Sequence, residues 1–261
     1  MTNDADRAGL GRFIGSLEKA FHILETFSGN QGRLGLTELS RLSGVERSAT
    51  QRVVFTLKHM GYVQQDRATR LYSLSPRMLR FGTAFLMADR VREISEPILR
   101  AVNEQCEETV NLTELEGTDV VYVLRFPSHH VVSVNLSVGS ILPAYCTAPG
   151  RAILAHLSSP DQADILRRSA TEKRTPFTQT NPDVIRLILN DVKHKGYCFN
   201  NQEAFLGDIS VAAPIFDGQG AVAAAVNIAV PYPRWSPERA LDELAPLVVT
   251  CARQISELMS E

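Results

Sequence analysis

The chain has 261 residues, enough for one large domain or two ordinary ones, and its 44% hydrophobic content is ordinary for a globular protein. Its net charge of −2 hides an asymmetry: residues 1–80 hold 12 Lys and Arg against 7 Asp and Glu (+5), and the remainder 15 against 22 (−7). No apolar run nears the ~18 residues of a membrane helix, no apolar signal core opens the chain, and Cys106, Cys146, Cys198 and Cys251 lack zinc-site or disulfide spacing. These features argue against a helical membrane protein and predict a cytoplasmic one with reduced thiols. A basic first third on an acidic remainder suits a nucleic-acid reader joined to something else.

Residues 1–11 are polar and are expected to be disordered. From 12 to 27, Ile14, Leu17, Phe21, Leu24 and Phe27 recur at helical intervals and predict a first helix packing beneath the next two. Residues 28–33 read as a loop. Residues 36–61 then read as two short helices around a turn at Ser43-Gly44-Val45, where Gly44 can take a positive φ. Thr37 is the expected N-cap of the first helix, with Leu39 and Leu42 on its inner face. The second, over 46–60, is expected to bury Val53, Val54 and Leu57. Arg47, Ser48, Gln51, Arg52 and Phe55 are left near the outer face. A short helix, a glycine turn and a second helix with polar residues exposed early follow the helix-turn-helix plan, whose second helix lies in the major groove. The same residues also fit an ordinary helical hairpin with a solvated face. Two strand-like runs, 61–66 and 70–74, flank a tip at 67–69 and complete a wing, where Arg67 and Arg70 suit phosphate or a minor groove.

Ser75-Pro76 predicts a helix start with Ser as cap, and Leu79, Phe81, Phe85 and Leu86 give that helix an apolar face. A second helical stretch, 91–106, carries Ile94, Ile98, Leu99 and Val102. A dimer seam or linker is the natural use of so much apolar helix beside so small a reader, with packing on the same chain as the alternative. Strand character follows at 109–115, 120–126 and 131–136. Pro149-Gly150 opens a helix over 151–157, and further helices are expected over 160–168 and 182–195. Strands at 209–216 and 222–229 flank the hairpin signal Asp217-Gly-Gln-Gly220. Ser236-Pro237 caps a last helix running to about Met259, with Trp235 as a packing residue beside the cap. The fold class this predicts is α+β, with an antiparallel sheet covered by helices.

Adjacent side chains in a strand point opposite ways, which argues against metal binding by His129-His130. Cys146 has no partnered histidine in a recognisable motif, and no phosphate loop, G-x-S-x-G or H-E-x-x-H occurs. The reading is therefore of a non-enzyme without cofactor or metal.

Several motifs in order carry a resemblance: SLEKAFHILETF (16–27), LTELSRLSGVERSATQRVVFTL (36–57), YSLSPRMLRFG (72–82), VGSILPAYCTAPGRAILA (138–155), GYCFNNQEAFLGDISVAAPIFD (196–217) and AAAVNIAVP (223–231). Over 12–258 the chain resembles the IclR family of bacterial transcriptional regulators, and PAYCTAPGR with the Asn of AAAVNIAV resembles its subgroup controlling protocatechuate and 4-hydroxybenzoate catabolism. The resemblance implies a winged helix-turn-helix over 12–74, a linker or dimerisation helix over 75–90 and a GAF-like effector domain over 91–261. It also implies a homodimer or tetramer on a double-stranded operator, and a small carboxylate effector. The chain departs from the family's habits at Ala49 (usually Thr), Arg151 (usually Lys), Ser210 (often Cys) and Asn200 (often Asp).

For DNA, Gln51 and Arg52 have the chemistry to meet adenine and guanine edges, and Arg47 and Ser48 suit phosphates. Matched to the family's effector contacts, the pocket set is Leu142, Ala148, Pro149, Asn200, Asp208, Ser210, Asn227 and Ala229. Free N–H groups at the helix start after Pro149 would favour an anion, Ser210 and Asn227 offer hydrogen bonds, and Asp208 ranks lowest because it would repel an acid. Plain packing or a satisfied hydrogen bond is the alternative use of each. An enzyme acting on the same acid, or a winged helix used only for protein contacts, are the rival readings. Arg52→Ala is expected to abolish sequence-specific duplex binding in a gel-shift assay while leaving circular dichroism unchanged.

Overall fold

A computed structural model describes residues 13–28, 32–130, 136–169 and 171–261. The residues expected to be disordered, 1–11, lie outside them, as does most of the strand expected over 131–136. The chain divides into two compact units between Phe85 and Leu86, each with its own core.

The first unit runs α1 (Gly15–Glu25), α2 (Leu36–Ser43), α3 (Arg47–His59), β1 (Val63–Gln65), β2 (Tyr72–Leu74), a 3-10 turn (Pro76–Met78) and α4 (Leu79–Ala88), within which the division falls. Ile23, Phe27, Leu39, Val45, Val54, Leu57 and Val63 form its core. Gly44 ends α2 at φ +68°, the left-handed conformation anticipated for it. The turn is then clamped at one atom: the Val45 carbonyl accepts from Ser40 Oγ (2.7 Å) and Thr50 Oγ1 (3.1 Å). The wing strands pair antiparallel, and Asp66 Oδ1 accepts from the Ala68 and Thr69 N–H groups to shape the tip.

Three expectations fail here. Thr37 does not cap α2. Gly35 holds the cap position without a side-chain bond, and the Thr37 hydroxyl inside the first turn accepts from Arg47 Nη1 at 2.7 Å. Leu42 does not share the inner face of Leu39, being exposed one turn later beside the turn. Nor does the apolar stripe of α1 pack under the reader as a whole. Ile23 and Phe27 are buried, whereas Ile14, Leu17 and Phe21 are exposed along a groove shared with Val53, Met60, Tyr62 and Phe81. Two apolar stripes lie on one helix, and the shorter one faces the core.

The second unit opens on α5 (Arg90–Cys106), capped by Asp89, and continues β3 (Thr109–Glu116), β4 (Asp119–Phe126), β5 (Ile141–Pro143), α6 (Ala148–Leu154), α7 (Ser159–Arg168), α8 (Pro182–Lys195), β6 (Cys198–Asn201), β7 (Asp208–Phe216), β8 (Val222–Pro231) and α9 (Pro237–Met259). Six antiparallel strands run in the order β5-β4-β3-β8-β7-β6. Alternation sends Val110, Leu112, Val211 and Ile228 to one face, where they pack on Leu99 of α5 and Val248 and Ile255 of α9. Tyr122, Ala212 and Ala225 go to the other face and meet Ile153 and Leu154 of α6 and Ile185 and Leu189 of α8. Strands β5 and β6 were not anticipated. Each is a short edge strand of three or four residues, too brief for alternation to register.

Helix α6 begins three residues before its expected start, because Thr147 caps it by accepting the Gly150 N–H at 3.3 Å. Gly150 is there for space. A Cβ would collide with the Ala144 carbonyl oxygen and Cα and sit 2.6 Å from Thr147 Oγ1. Overpacking of this kind costs on the order of 1–3 kcal/mol. Gly150→Ala is expected to lower the urea midpoint by at least that equivalent with the m-value unchanged.

Candidate functional site

Two surfaces gather the residues singled out from the sequence. On the first unit, Arg47, Ser48, Gln51 and Arg52 on α3 and Arg67 and Arg70 on the wing are all exposed. Their hydrogen bonds separate them. Glu46 is the N-cap of α3, and its carboxylate accepts the Ser48 N–H (2.9 Å), the Ala49 N–H (3.2 Å) and the Ser48 hydroxyl. The Ser48 hydroxyl bond, with both backbone bonds and the Arg52 charge behind it, holds that carboxyl below the usual range. Ser48 and Arg47 are thus engaged within the protein, while Gln51 and Arg52 present their polar ends from the outer face.

On the second unit, Leu142, Ala148, Pro149, Asn200, Asp208, Ser210, Asn227 and Ala229 all line one cavity of about 230 Å³. Its floor is the sheet face turned toward α6. Its polar content was underestimated from sequence, for Asn111, Tyr122, Arg125 and Thr147 also line it. Pairing places Arg125 opposite Asn111 and Asn111 opposite Asn227, so the three share one face of β4, β3 and β8. The side chains form a chain of bonds. Arg125 Nη1 donates to Asn111 Oδ1 (2.9 Å), Asn111 Nδ2 to Asn227 Oδ1 (3.3 Å) and Asn227 Nδ2 to Ser210 Oγ (2.9 Å). The available signal was a charged residue and an asparagine within otherwise apolar strands, since an inward polar residue is informative where an exposed apolar one is not.

Asp208 has its carboxyl pushed up to about 7 by burial, against the pull of the Arg125 charge. Burial in turn lowers the Arg125 guanidinium and raises the Tyr122 phenol. The objection that Asp208 repels an acid therefore weakens, because near neutrality much of it is uncharged. Asn200 has structural work: Nδ2 donates to the Cys146 carbonyl (2.9 Å) and Oδ1 accepts the Glu203 N–H (3.2 Å). The expected cradle of free N–H groups is also reduced, since Pro149 has none and Thr147 takes that of Gly150.

Arg151, 1% exposed, lies on α6, whose first residues Ala148 and Pro149 line this cavity. Nε donates to the Tyr145 carbonyl (2.7 Å), and the two Nη atoms make a bidentate pair with Glu203 at 2.5 and 2.7 Å. That fork is geometry an ammonium cannot reproduce. Trp235 does more than pack: its Nε1 donates to buried Glu108 (2.7 Å), which also pairs with Arg234 (2.6 Å). All four cysteines are free thiols, and burial pushes Cys146 up to about 11, the reverse of an activated nucleophile. Among the described residues no group of metal-ligating side chains forms, and no helix is long and apolar enough to cross a membrane.

Comparison with known proteins gives consistent results. Residues 16–67 match the IclR helix-turn-helix domain, and residues 83–257 match the family described as bacterial transcriptional regulator IclR C-terminal. The Pca regulon regulatory protein of Pseudomonas putida is 31% identical over 93% of this chain and 83% of its own. The p-hydroxybenzoate hydroxylase transcriptional activator of Acinetobacter baylyi is 28% identical over 95% and 92%. An IclR homologue of Microbacterium hydrocarbonoxydans, solved complexed with 4-hydroxybenzoate, superposes with a TM-score of 0.78 over 94% of this chain and 98% of that one; at 22% identity this likeness is one of fold.

Removing one partner of a buried pair strands the other charge, at about 3–5 kcal/mol. Glu203→Ala is expected to destabilise the protein by that order in urea unfolding, well beyond the effect of a surface carboxylate such as Asp183.

Proposed function

The chain belongs to the IclR family of transcriptional regulators, and on that premise we propose that it reads a double-stranded operator of a catabolic operon under the control of a small aromatic carboxylate. The observation that carries the effector class is the second unit's cavity. Its polar row runs from the Arg125 guanidinium through Asn111 and Asn227 to Ser210, against walls that include Tyr122, Leu142, Pro149 and Phe205. A guanidinium suits a carboxylate, the asparagines and Ser210 suit ring hydroxyls, and the apolar walls suit the ring. The relatives that regulate pca genes and p-hydroxybenzoate hydroxylase support the same class.

In this reading residues 12–74 are the reader, 75–90 the linker and dimerisation segment and 91–261 the sensor, all working in the cytoplasm where the operator is. Gln51 and Arg52 read base edges, with Arg47, Ser48, Arg67 and Arg70 serving the backbone. Exposed Ile14, Leu17, Phe21 and Phe81 favour assembly as a dimer or tetramer, because so continuous an apolar groove is costly in water. The acid acts by its difference in affinity between arrangements of the readers.

The test is a calorimetric titration of benzoate, hydroxybenzoates and short aliphatic acids. Hydroxybenzoates are expected to bind tightest, and Arg125→Gln to weaken them at least tenfold without a change in fold. Equal binding of aliphatic acids together with an unaffected Arg125→Gln variant would remove the assignment. Asp208 supplies a pH signature. It is neutral below about 7 and an anion above, so carboxylate affinity should fall as pH rises through about 7. Asp208→Asn should flatten that fall.

A further inference from the structure

The outer face of α3 has an apolar centre. At 100° per residue, Thr50, Val54 and Leu57 point to the core, and the arc opposite them carries Ser48, Gln51, Arg52, Phe55 and His59. Phe55 sits in the middle of this arc, one turn beyond Gln51 and one turn before His59, and is 72% exposed. It does not line the groove between α1 and α3, where Arg52, Val53, Thr56 and Met60 do, so an occupant of that groove leaves Phe55 uncovered.

Its surroundings select a partner. Arg47, Arg52, Lys58 and His59 lie on the same helix and Arg67 and Arg70 on the wing, all exposed. Lys58 is turned to the wing by a 3.0 Å bond to Gln65 Oε1. A phenyl ring on a helix that also exposes Arg47, Arg52 and Lys58 calls for a polyanion that offers an apolar group in reach of a helix. The major groove of B-DNA does so at one place on each A·T pair, the thymine C5-methyl.

We infer that Phe55 reads the C5-methyl group of a thymine in the operator, next to the base edges met by Gln51 and Arg52. This rests on the reading that α3 enters the major groove, and it adds a specificity determinant that no hydrogen bond supplies.

The experiment starts with selection of a duplex from a random pool by the full-length chain. Affinity is then measured on the selected duplex and on copies in which each thymine in turn is replaced by deoxyuridine, which removes only the methyl. For the wild type, one position per half-site is expected to lose about fourfold, the worth of one buried methyl-sized group. Phe55→Ala is expected to lose at least that factor on the thymine duplex and to bind the thymine and deoxyuridine duplexes equally, with unchanged thermal stability. The inference is overturned if every deoxyuridine copy binds the wild type like thymine, or if Phe55→Ala still tells the two apart. It is equally overturned if Phe55→Ala leaves duplex binding intact but changes the sedimentation coefficient, which would make the face a protein contact. Arg52→Ala separates the levels. Loss of binding with Arg52→Ala alone leaves the reader standing and removes Phe55 from it, whereas enrichment of no duplex overturns both.

Discussion

Asn111 lies directly across from Asn227 in the centre of a six-stranded sheet, and the second unit's chemistry depends on that pairing. A slip of one residue between their strands would put the two amides on opposite faces and turn one toward α5 and α9, into a core of Leu99, Val102 and Val248, where it would find no partner. Unsatisfied amides in such a place would cost about 1–3 kcal/mol each. The register is thus set by apolar residues seeking one face and by the Arg125–Asn111–Asn227–Ser210 chain seeking the other. The polar row is at once a constraint on folding and the cavity's lining.

A similar double role holds around α6. This helix is only seven residues long and entirely buried, so it cannot owe its place to its own stability. Thr147 fixes its start, Gly150 lets it lie against the 144–146 turn, and Arg151 ties it to Glu203. Glu203 also accepts the Gln179 N–H at 2.8 Å, and its own N–H is held by Asn200. Substituting Arg for the Lys usual in the family therefore keeps the charge while adding a second bond to the carboxylate. The cavity wall is thus held by directional bonds as well as by the apolar packing around α6.

Sequence made the longer elements plain because their signals are local. Asn181-Pro182 and Ser236-Pro237 start helices where a cap and a first-turn proline say they should, and Gly44 and Gly196 end theirs at positive φ. Expectations failed where the deciding contact was distant. Thr37 has the chemistry of a cap, but Arg47 ten residues on claims its hydroxyl. Edge strands β5 and β6 exist through their neighbours. Arg125 looks like one polar residue in an apolar run until cross-strand register puts it beside Asn111 and Asp208 in one cavity. The eight cavity residues matched from the family do converge, but Asn200 is engaged with backbone, and that could not be seen without the fold.

The polar row of the cavity is bonded along its length, and on the proposed reading this shapes what a carboxylate would have to do there. Each amide in the row already has a partner, so a ligand that merely replaced those bonds would gain little. A guanidinium, however, has five N–H donors in a fixed fork whose geometry matches a carboxylate. The neighbouring carboxyl of Asp208 competes for the same positive charge. On the proposed reading, a carboxylate paired with Arg125 would weaken the attraction that lowers Asp208 while burial stays, which favours the protonated carboxyl. Carboxylate and proton would then bind together, without stranding a lone buried ion.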